Sequence, residues 1–262
     1  MIPSVLKAGF QFTFQSYQVA ANCLTDTISM LSHFQAVVLG ALQGISELFP
    51  ISSLGHSVIL PGLLGWPIDQ NANSFLTFVV ATHFATALVL FVVYRKDWAR
   101  IIFGLLGCIR ARELNPTRAD TKLGVLLIID TLPAGVIGFI LQEQLQKLFI
   151  SPAIAALFLM LNGGLLYMAE HLRRAPEVNR GAESIDQRIA AKMSWWQSAK
   201  VGIVQVLALL PGFSRTGSAI AGSLVVGLSH EEALRFSFLL ATPIIGAAAL
   251  LKLRGSSVQA AL

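Results

Sequence analysis

The chain contains the stretch Gln43-Gly-Ile-Ser-Glu-Leu-Phe-Pro-Ile-Ser-Ser-Leu-Gly-His56 and, 162 positions later, the related stretch Gln205-Val-Leu-Ala-Leu-Leu-Pro-Gly-Phe-Ser-Arg-Thr-Gly-Ser218. Each copy consists of a short apolar segment, a loop rich in Pro, Gly and Ser, and a second short apolar segment. A duplicated broken helix in an apolar chain indicates a site at the interface between two repeats inside a membrane. Over positions 40–65 the constant offset pairs six identical residues without a gap: Gly40/Gly202, Gln43/Gln205, Leu48/Leu210, Ser52/Ser214, Gly55/Gly217 and Gly65/Gly227.

The composition is typical of a membrane protein. Hydrophobic residues make up 55% of the 262 residues, charged residues make up 13%, and the mean hydropathy is +0.68. Soluble domains carry about 25% charged residues. Cys23 and Cys108 are too few and too far apart for a disulfide framework or a metal cluster. The net charge of +5 does not predict a nucleic-acid partner, because the Lys and Arg of membrane proteins collect in cytoplasmic loops.

Four apolar segments are long enough to cross a hydrocarbon core of roughly 30 Å as helices. They are Ser74–Tyr94, Leu123–Leu141, Ala153–Ala169 and Phe236–Leu251. The segments that flank the two loops are too short to cross alone. We predict that they form two re-entrant helix–loop–helix hairpins in an all-α, polytopic integral membrane protein: Phe34–Leu48 with His56–Gly65, and Ser198–Leu210 with Ser218–Gly227.

The distribution of Lys and Arg predicts the orientation of these segments. Residues 95–122 and 171–200 are rich in both, whereas residues 66–73 and 142–151 contain only Lys147, so the two basic stretches are predicted to be cytoplasmic. The first hairpin then opens outside and the second inside. An odd number of spans separates them, which predicts an inverted-topology repeat. The apolar piece Ile101–Ile109 is too short to span and is predicted to lie along the cytoplasmic face.

We predict a single membrane domain over residues 34–262. Within it, repeat 1 covers about 34–94 and repeat 2 about 198–251. Residues 1–33 form an N-terminal extension with two interpretations. It is either an interfacial amphipathic helix, over residues 8–21, or a poorly ordered leader.

The two loops hold the densest group of polar residues in the chain. Backbone that is not helical at membrane depth must be buried in protein or line a wet cavity. We therefore expect the loops to meet near the membrane midplane. Their meeting would bring the polar residues of the first copy against those of the second: Glu47, Ser52, Ser53 and His56 against Ser214, Arg215, Thr216 and Ser218.

Arg215 has two interpretations. A salt bridge to Glu47 would offset the cost of a charge at membrane depth. Alternatively, the guanidinium offers a planar fork of donors to phosphate oxygens. The loop 212–217 favours phosphate, because its glycines let backbone N–H groups turn toward an anion and a helix is predicted directly after it.

Glu47, Ser53 and His56 are candidates for the chemical step. An intramembrane carboxylate is a functional candidate. Gln43 lies one helical turn from Glu47 and shares a helix face with it. Glu47 could orient or deprotonate His56, or bind a divalent cation. Ser53 and His56 could form a nucleophile–base pair, or His56 could attack phosphorus itself. A His that bonds a backbone carbonyl is the structural alternative for His56.

Two further polar residues lie inside the predicted spans. His83 is interpreted as a donor in helix packing. Asp130 lies near mid-span beside Pro133, and its carboxylate could pair with Arg215.

The motifs Glu47-Leu-Phe-Pro-Ile-Ser-Ser-Leu-Gly-His56 and Pro211-Gly-Phe-Ser-Arg-Thr-Gly217 resemble the two signature motifs of bacterial undecaprenyl-diphosphatases of the bacitracin-resistance type. The likeness runs from about Phe34 to Leu251 and includes His83-Phe-Ala-Thr86 and Phe236-Ser-Phe-Leu-Leu-Ala-Thr-Pro243. It implies removal of the terminal phosphate from undecaprenyl diphosphate, a polyprenyl diphosphate lipid, at a site open to the periplasm of a bacterial inner membrane. This reaction recycles the lipid carrier for peptidoglycan synthesis. The resemblance also implies an interdigitated inverted repeat with two re-entrant loops and a divalent cation, Mg²⁺ or Ca²⁺.

The resemblance also implies roles for individual residues. Three positions depart from the family pattern: Gln43 replaces a Glu, Leu54 replaces a Thr, and Ala219 replaces a Thr. Gln43 removes a charge from the suspected cation site. The chain also ends about two helices earlier than the family usually does. The resulting candidates are Glu47, Ser53, His56 and Arg215 for catalysis, Ser52, Ser214, Arg215, Thr216, Gly217 and Ser218 for phosphate binding, and Glu47 and Gln43 for the metal.

Two other functions are compatible with these motifs. A non-catalytic transporter or binder of lipid phosphates could use the same inverted repeat. The type 2 phosphatidic acid phosphatases share a faint likeness at Ser53-Leu-Gly-His56, but that class needs a second His after its Ser-Arg element, and none follows Arg215 until His230. The sequence does not set the oligomeric state and leaves a homo-oligomer open.

Overall fold

The computed structural model describes residues 31–70, 72–111, 118–141, 144, 152–173 and 184–259, with backbone only for Asn73 and residues 247–259. Within these ranges the chain is helical and contains no strand. Most of the predicted N-terminal extension lies outside the described residues. The helices are α1 His33–Leu48, α2 Ser53–Leu63, α3 Asn73–Val93, α4 Arg95–Ala111, α5 Ala119–Ile140, α6 Pro152–His171, α7 Ile185–Lys192, α8 Trp195–Gln205, a 3₁₀-helix Val206–Leu209, α9 Arg215–Val225 and α10 His230–Gln259.

The duplicated sequence forms two helix–loop–helix units with the same local structure. The α9 bounds equal the α2 bounds shifted by 162 positions. A serine caps each of these helices: Ser52 Oγ accepts a hydrogen bond from Gly55 N at 3.1 Å, and Ser214 Oγ accepts one from Gly217 N at 3.0 Å. The same offset therefore relates sequence, helix bounds and capping bonds.

The outer ends of the two units match as well. Ser32 and Ser194 begin α1 and α8 with capping boxes, in which Gln35 and Gln197 supply the returning side chains. Each box satisfies donors that a helix N-terminus otherwise leaves unpaired. The chain also leaves each unit at a glycine in the left-handed region, with φ +64° at Gly65 and +107° at Gly227.

Two boundaries differ from the predicted arms. The helices α2 and α9 begin three residues earlier than predicted, at Ser53 and Arg215. Ser52 and Ser214 are the N-caps of these helices. Because the residue after an N-cap is the first residue of the helix, α2 begins at Ser53 and α9 at Arg215. The arm predicted as Ser198–Leu210 begins earlier, and its last turn is 3₁₀ rather than α. Ser53 and Arg215 are therefore held on rigid helices rather than in loops.

Three helices of the described part are long and apolar enough to cross a membrane: Ser74–Val93, Ala119–Ile140 and Pro152–His171. They coincide with three of the four predicted spans. The fourth predicted span lies within the backbone of α10. The short apolar piece predicted at Ile101–Ile109 belongs to α4, which packs on α5 with Ile101 buried.

Helix packing brings the two units together. The long helix α6 contacts both α2 and α9, and α5 contacts α8. The approach of α5 to α8 is close, since a Cβ on Gly202 would lie 2.3 Å from the carbonyl oxygen of Asp130. The main hydrophobic core joins α4 and α5 to α7–α10, through buried side chains such as Leu126 and Phe236.

Ion pairs gather the charged segments at one end of the bundle. Arg235 donates to both carboxylate oxygens of Asp186, at 2.5 and 2.9 Å, and Arg100 donates to Asp186 at 3.3 Å. Lys192 donates to both oxygens of Glu232, at 2.8 and 2.9 Å. Since Arg100 and Asp186 belong to the two stretches predicted to be cytoplasmic, these stretches lie on the same side of the bundle, as that prediction requires.

Candidate active site

The two loops meet, as predicted from the sequence. A Cβ on Gly55 would lie 3.2 Å from the Cα of Gly212, and a Cβ on Gly217 would lie 2.9 Å from the carbonyl oxygen of Pro50. The 162-position offset relates Gly55 to Gly217 and Pro50 to Gly212. Each contact therefore becomes the other when the two copies are exchanged.

Asn162 of α6 connects the two loops. Its Nδ2 donates to the carbonyl oxygen of Pro50 at 3.1 Å, and its Oδ1 accepts from the backbone N–H of Ser214 at 3.1 Å. The residue is buried, so both bonds replace contacts with water. Sequence reasoning missed Asn162, although a polar amide in mid-span was a signal that could have found it.

Glu47 lies at the centre of the cluster and accepts three side-chain hydrogen bonds. Its Oε1 accepts from Arg215 Nη2 at 3.0 Å. Its Oε2 accepts from Ser53 Oγ at 2.7 Å and from Gln43 Nε2 at 3.1 Å. The hydroxyl of Thr216 donates to the Glu47 backbone oxygen at 3.3 Å. Of the two interpretations of Arg215, the structure shows the salt bridge, which joins the two repeat copies directly.

Arg215 keeps donor capacity beyond this salt bridge. Only its Nη2 bonds to Glu47, and its buried Nε has no hydrogen-bond partner among the described residues. Arg215 is also the first residue of α9, where backbone N–H groups lack intrahelical partners and the helix dipole is positive. A phosphate at this helix end would find both a guanidinium and free amide donors.

His83 reaches the cluster from α3. Its Nε2 lies 3.3 Å from Ser53 Oγ and 3.6 Å from Glu47 Oε2, while its Nδ1 lies 2.7 Å from the carbonyl oxygen of Val79. The interpretation of His83 as a packing residue did not anticipate its contact with Ser53. The signal available in the sequence was a single imidazole in an otherwise apolar span.

His56 and Asp130 have other partners than those suggested. The Nδ1 of His56 lies 2.6 Å from the carbonyl oxygen of Ser52, which is the structural alternative for this residue. The ring that the structure brings to Ser53 is His83. Asp130 accepts a hydrogen bond from Gln205 and does not pair with Arg215, because its helix packs against α8 while Arg215 binds Glu47.

The serine hydroxyls predicted to bind phosphate have different hydrogen-bond partners. The hydroxyls of Ser52 and Ser214 already accept capping bonds from Gly55 and Gly217. The hydroxyl of Ser218 is buried and has no partner among the described residues. These side chains shape the loops, and the donors they leave for an anion are the Arg215 guanidinium and the first-turn amides of α9 other than that of Gly217.

The donor set does not fit a divalent cation. Both carboxylate oxygens of Glu47 accept hydrogen bonds, and the Arg215 guanidinium occupies one of them. The described residues include no group of three or more His, Cys, Asp or Glu side chains arranged to hold a metal ion. Mg²⁺ and Ca²⁺ prefer several oxygen ligands, and here only the unpartnered Gln43 Oε1 adds to a single, already paired carboxylate.

The family model and the similar proteins of known function point to the same family. The family model described as "Bacitracin resistance protein BacA" matches residues 36–261. The undecaprenyl-diphosphatase of Acidiphilium cryptum is 46% identical over 219 residues, covering 83% of this chain and 73% of that protein. The undecaprenyl-diphosphatase of Mycolicibacterium paratuberculosis is 43% identical over 241 residues, covering 85% of this chain and 78% of that protein.

Proposed function

The chain belongs to the bacitracin resistance protein BacA family, and from this premise we propose that it is a membrane hydrolase that converts undecaprenyl diphosphate to undecaprenyl phosphate and phosphate. The observation that carries the proposal is the cluster of Ser53, Glu47 and Arg215 where the two repeat copies meet. In this cluster the Ser53 hydroxyl and the Arg215 guanidinium each lie within hydrogen-bond distance of the Glu47 carboxylate.

The chemistry of phosphate removal assigns these residues complementary roles. Arg215 and the first-turn amides of α9 hold the terminal phosphate and stabilise the charge that its oxygens carry in the transition state. Ser53 or His56 attacks phosphorus in line. Glu47 holds Arg215 and Ser53 in position through its two carboxylate oxygens. The prenyl chain remains among the apolar helices.

The proposal includes a membrane topology. The two helix–loop–helix units are re-entrant hairpins of an inverted repeat, in a bacterial inner membrane, with the site open to the periplasm. Support comes from the short helices α2 and α9, from the loop contacts that exchange under the repeat, and from the basic stretches gathered at one end. This topology lets the diphosphate reach the loops from outside while the chain stays in the bilayer.

Phosphate release tests the function. Protein purified in detergent is mixed with undecaprenyl diphosphate, and inorganic phosphate is followed with time. We expect continuous release with multiple turnovers per protein. Binding of the lipid without any release would contradict hydrolysis and favour the alternative, a non-catalytic transporter or binder of lipid phosphates.

Replacing Gln43 with Glu tests the cation proposal. The side chains around Glu47 do not fit the divalent cation that the family resemblance implies. The variant would put a second carboxylate within hydrogen-bond distance of the Glu47 carboxylate, where the Gln43 amide lies now. Two carboxylates that close repel each other unless a cation or a proton lies between them. We therefore expect Gln43→Glu to bind Ca²⁺ or Mg²⁺ more tightly than the wild type, measured as a rise in melting temperature on titration with the ion.

Gln35→Glu is the matched control for this variant. Gln35 lies at the third position of the α1 capping box, where Glu serves equally well. The control adds the same charge to the same helix, and we expect it to leave cation affinity unchanged. Equal responses of the two variants, or no response in Gln43→Glu, would restrict position 43 to a structural role.

A further inference from the structure

We propose that His83 is a catalytic residue, the base that takes the proton of Ser53, and that Ser53 rather than His56 is therefore the nucleophile. The inference rests on the proposed hydrolysis of a lipid diphosphate. The observation behind it is the contact of 3.3 Å between His83 Nε2 and Ser53 Oγ, across two different helices. A nucleophilic hydroxyl beside an oriented imidazole is a recurrent arrangement in covalent catalysis.

The backbone of α3 sets the protonation of the His83 ring. Its Nδ1 lies 2.7 Å from the carbonyl oxygen of Val79. A carbonyl oxygen can only accept a hydrogen bond, so Nδ1 carries the hydrogen. In the neutral ring the lone pair then lies on Nε2, the atom that faces Ser53. The Val79 carbonyl thus has the orienting function that a third group supplies in other nucleophile–base pairs.

Glu47 is a poorer proton acceptor in this arrangement. Ser53 donates its resting hydrogen bond to Glu47 Oε2 at 2.7 Å. However, protonation of Glu47 would remove the partner of Arg215 and weaken the bond from Gln43, all within a buried site. Losing a buried ion-pair partner costs several kcal/mol. Rotation of the Ser53 hydroxyl toward His83 avoids this cost.

His56 is placed less well for the same task. Its Nδ1 is held at 2.6 Å by the carbonyl oxygen of Ser52, and no hydrogen bond links it to Ser53. Both imidazoles therefore have an oriented tautomer, but only that of His83 directs its second nitrogen at a hydroxyl. Because His83 faces Ser53 and His56 does not, we infer that Ser53 is the nucleophile.

The reaction then proceeds in two balanced steps. In the first, the Ser53 Oγ–P bond forms, the bond from phosphorus to the bridging oxygen breaks, the lipid phosphate leaves with the electron pair, and the Ser53 proton moves to His83 Nε2. Before the second step, His83 passes this proton to solvent. Water then attacks the phosphoserine, His83 takes the proton of the water, and Ser53 leaves with the electron pair and regains a proton from His83.

Two substitutions at His83 test this role. We expect His83→Ala to reduce kcat by about 10²- to 10⁴-fold, the usual range for loss of a general base, with KM near the wild-type value. Imidazole added to the assay restores part of the activity of His83→Ala and none of the activity of Ser53→Ala. His83→Gln fills the same space without a basic lone pair, and it is expected to lose the same activity while its melting temperature stays close to that of the wild type.

A labelling experiment identifies the nucleophile independently. Substrate labelled in the terminal phosphate is quenched with acid during turnover, and the labelled peptide is sequenced. An acid-stable label on Ser53 is the expected result, and a label on His56 would overturn the inference.

His33→Gln is the control variant, because His33 lies about 21 Å from Glu47 along α1 and is exposed. It should retain wild-type kcat. Full activity of His83→Ala or His83→Gln beside an active wild type would remove His83 from catalysis and leave the proposed function intact. Absence of phosphate release by the wild type would instead contradict the proposed function itself.

Discussion

Replacing Arg215 with Ala is expected to lower kcat/KM for undecaprenyl diphosphate by about 10³- to 10⁵-fold, the range reported for arginines that stabilise a phosphoryl transition state. Arg215 combines a guanidinium with the first position of α9, so its loss removes the principal charge beside the phosphate. Arg215→Lys keeps the charge but not the planar fork, and we expect its activity to lie between those of the wild type and the alanine variant. Phosphate release at saturating and limiting substrate measures both effects.

Stability must be separated from catalysis in this experiment. Arg215→Ala leaves Glu47 as a buried carboxylate without its cation, which destabilises the fold. The double variant Glu47→Gln/Arg215→Ala removes both charges, and we expect it to regain melting temperature without regaining activity. Arg173 lies two residues after the end of α6, and Arg173→Ala is the control that we expect to keep full activity. Full activity of Arg215→Ala would remove this residue from the site.

Replacing Gly212 with Ala is expected to destabilise the protein by at least about 3 kcal/mol, since steric overlap adds to backbone strain. Gly212 has φ +100°, and a Cβ there would lie 2.3 Å from the carbonyl oxygen of Ala155 and 2.8 Å from the backbone nitrogen of Leu159. The loop would have to move away from α6, and the active site would move with it. Thermal unfolding in detergent, together with the activity of the folded fraction, measures the loss.

Gly227→Ala is the matched control for Gly212→Ala. Gly227 has φ +107°, but apart from its chain neighbours no atom of the described residues lies within 4 Å of a Cβ built there. It should cost only the left-handed backbone conformation, about 1–2 kcal/mol. Equal losses of stability in the two variants would show that overlap with α6 does not add to the cost of a side chain at position 212.

Much of the fold could be predicted because the relevant signals are local or periodic. The 162-position offset and the lengths of the apolar segments predicted two broken helices and the three helices that are long and apolar enough to cross a membrane. The ion pair of Glu47 and Arg215 was one of the two interpretations of Arg215, because an isolated charge in an apolar chain is costly. The loop contact followed from the need to bury non-helical backbone.

The missed residues depend on which helices become neighbours. His83 and Asn162 each lie alone in an apolar span, and nothing near them in the sequence shows that α3 and α6 approach the loops. For the same reason, the sequence suggested Arg215 as a possible partner of Asp130, whereas the structure pairs Asp130 with Gln205. The predicted starts of α2 and α9 were three residues too late for a local reason. A serine in a loop looks the same in the sequence as a serine that caps a helix, and Ser52 and Ser214 are caps.

The ion pair between Glu47 and Arg215 puts a fixed negative charge beside the proposed phosphate site. In the proposed reaction, the bound phosphate shares the Arg215 guanidinium with this carboxylate and is therefore held less tightly than it would be by an unpaired arginine. After cleavage, the same repulsion between like charges favours release of the free phosphate. One contact would therefore both position the guanidinium and promote turnover.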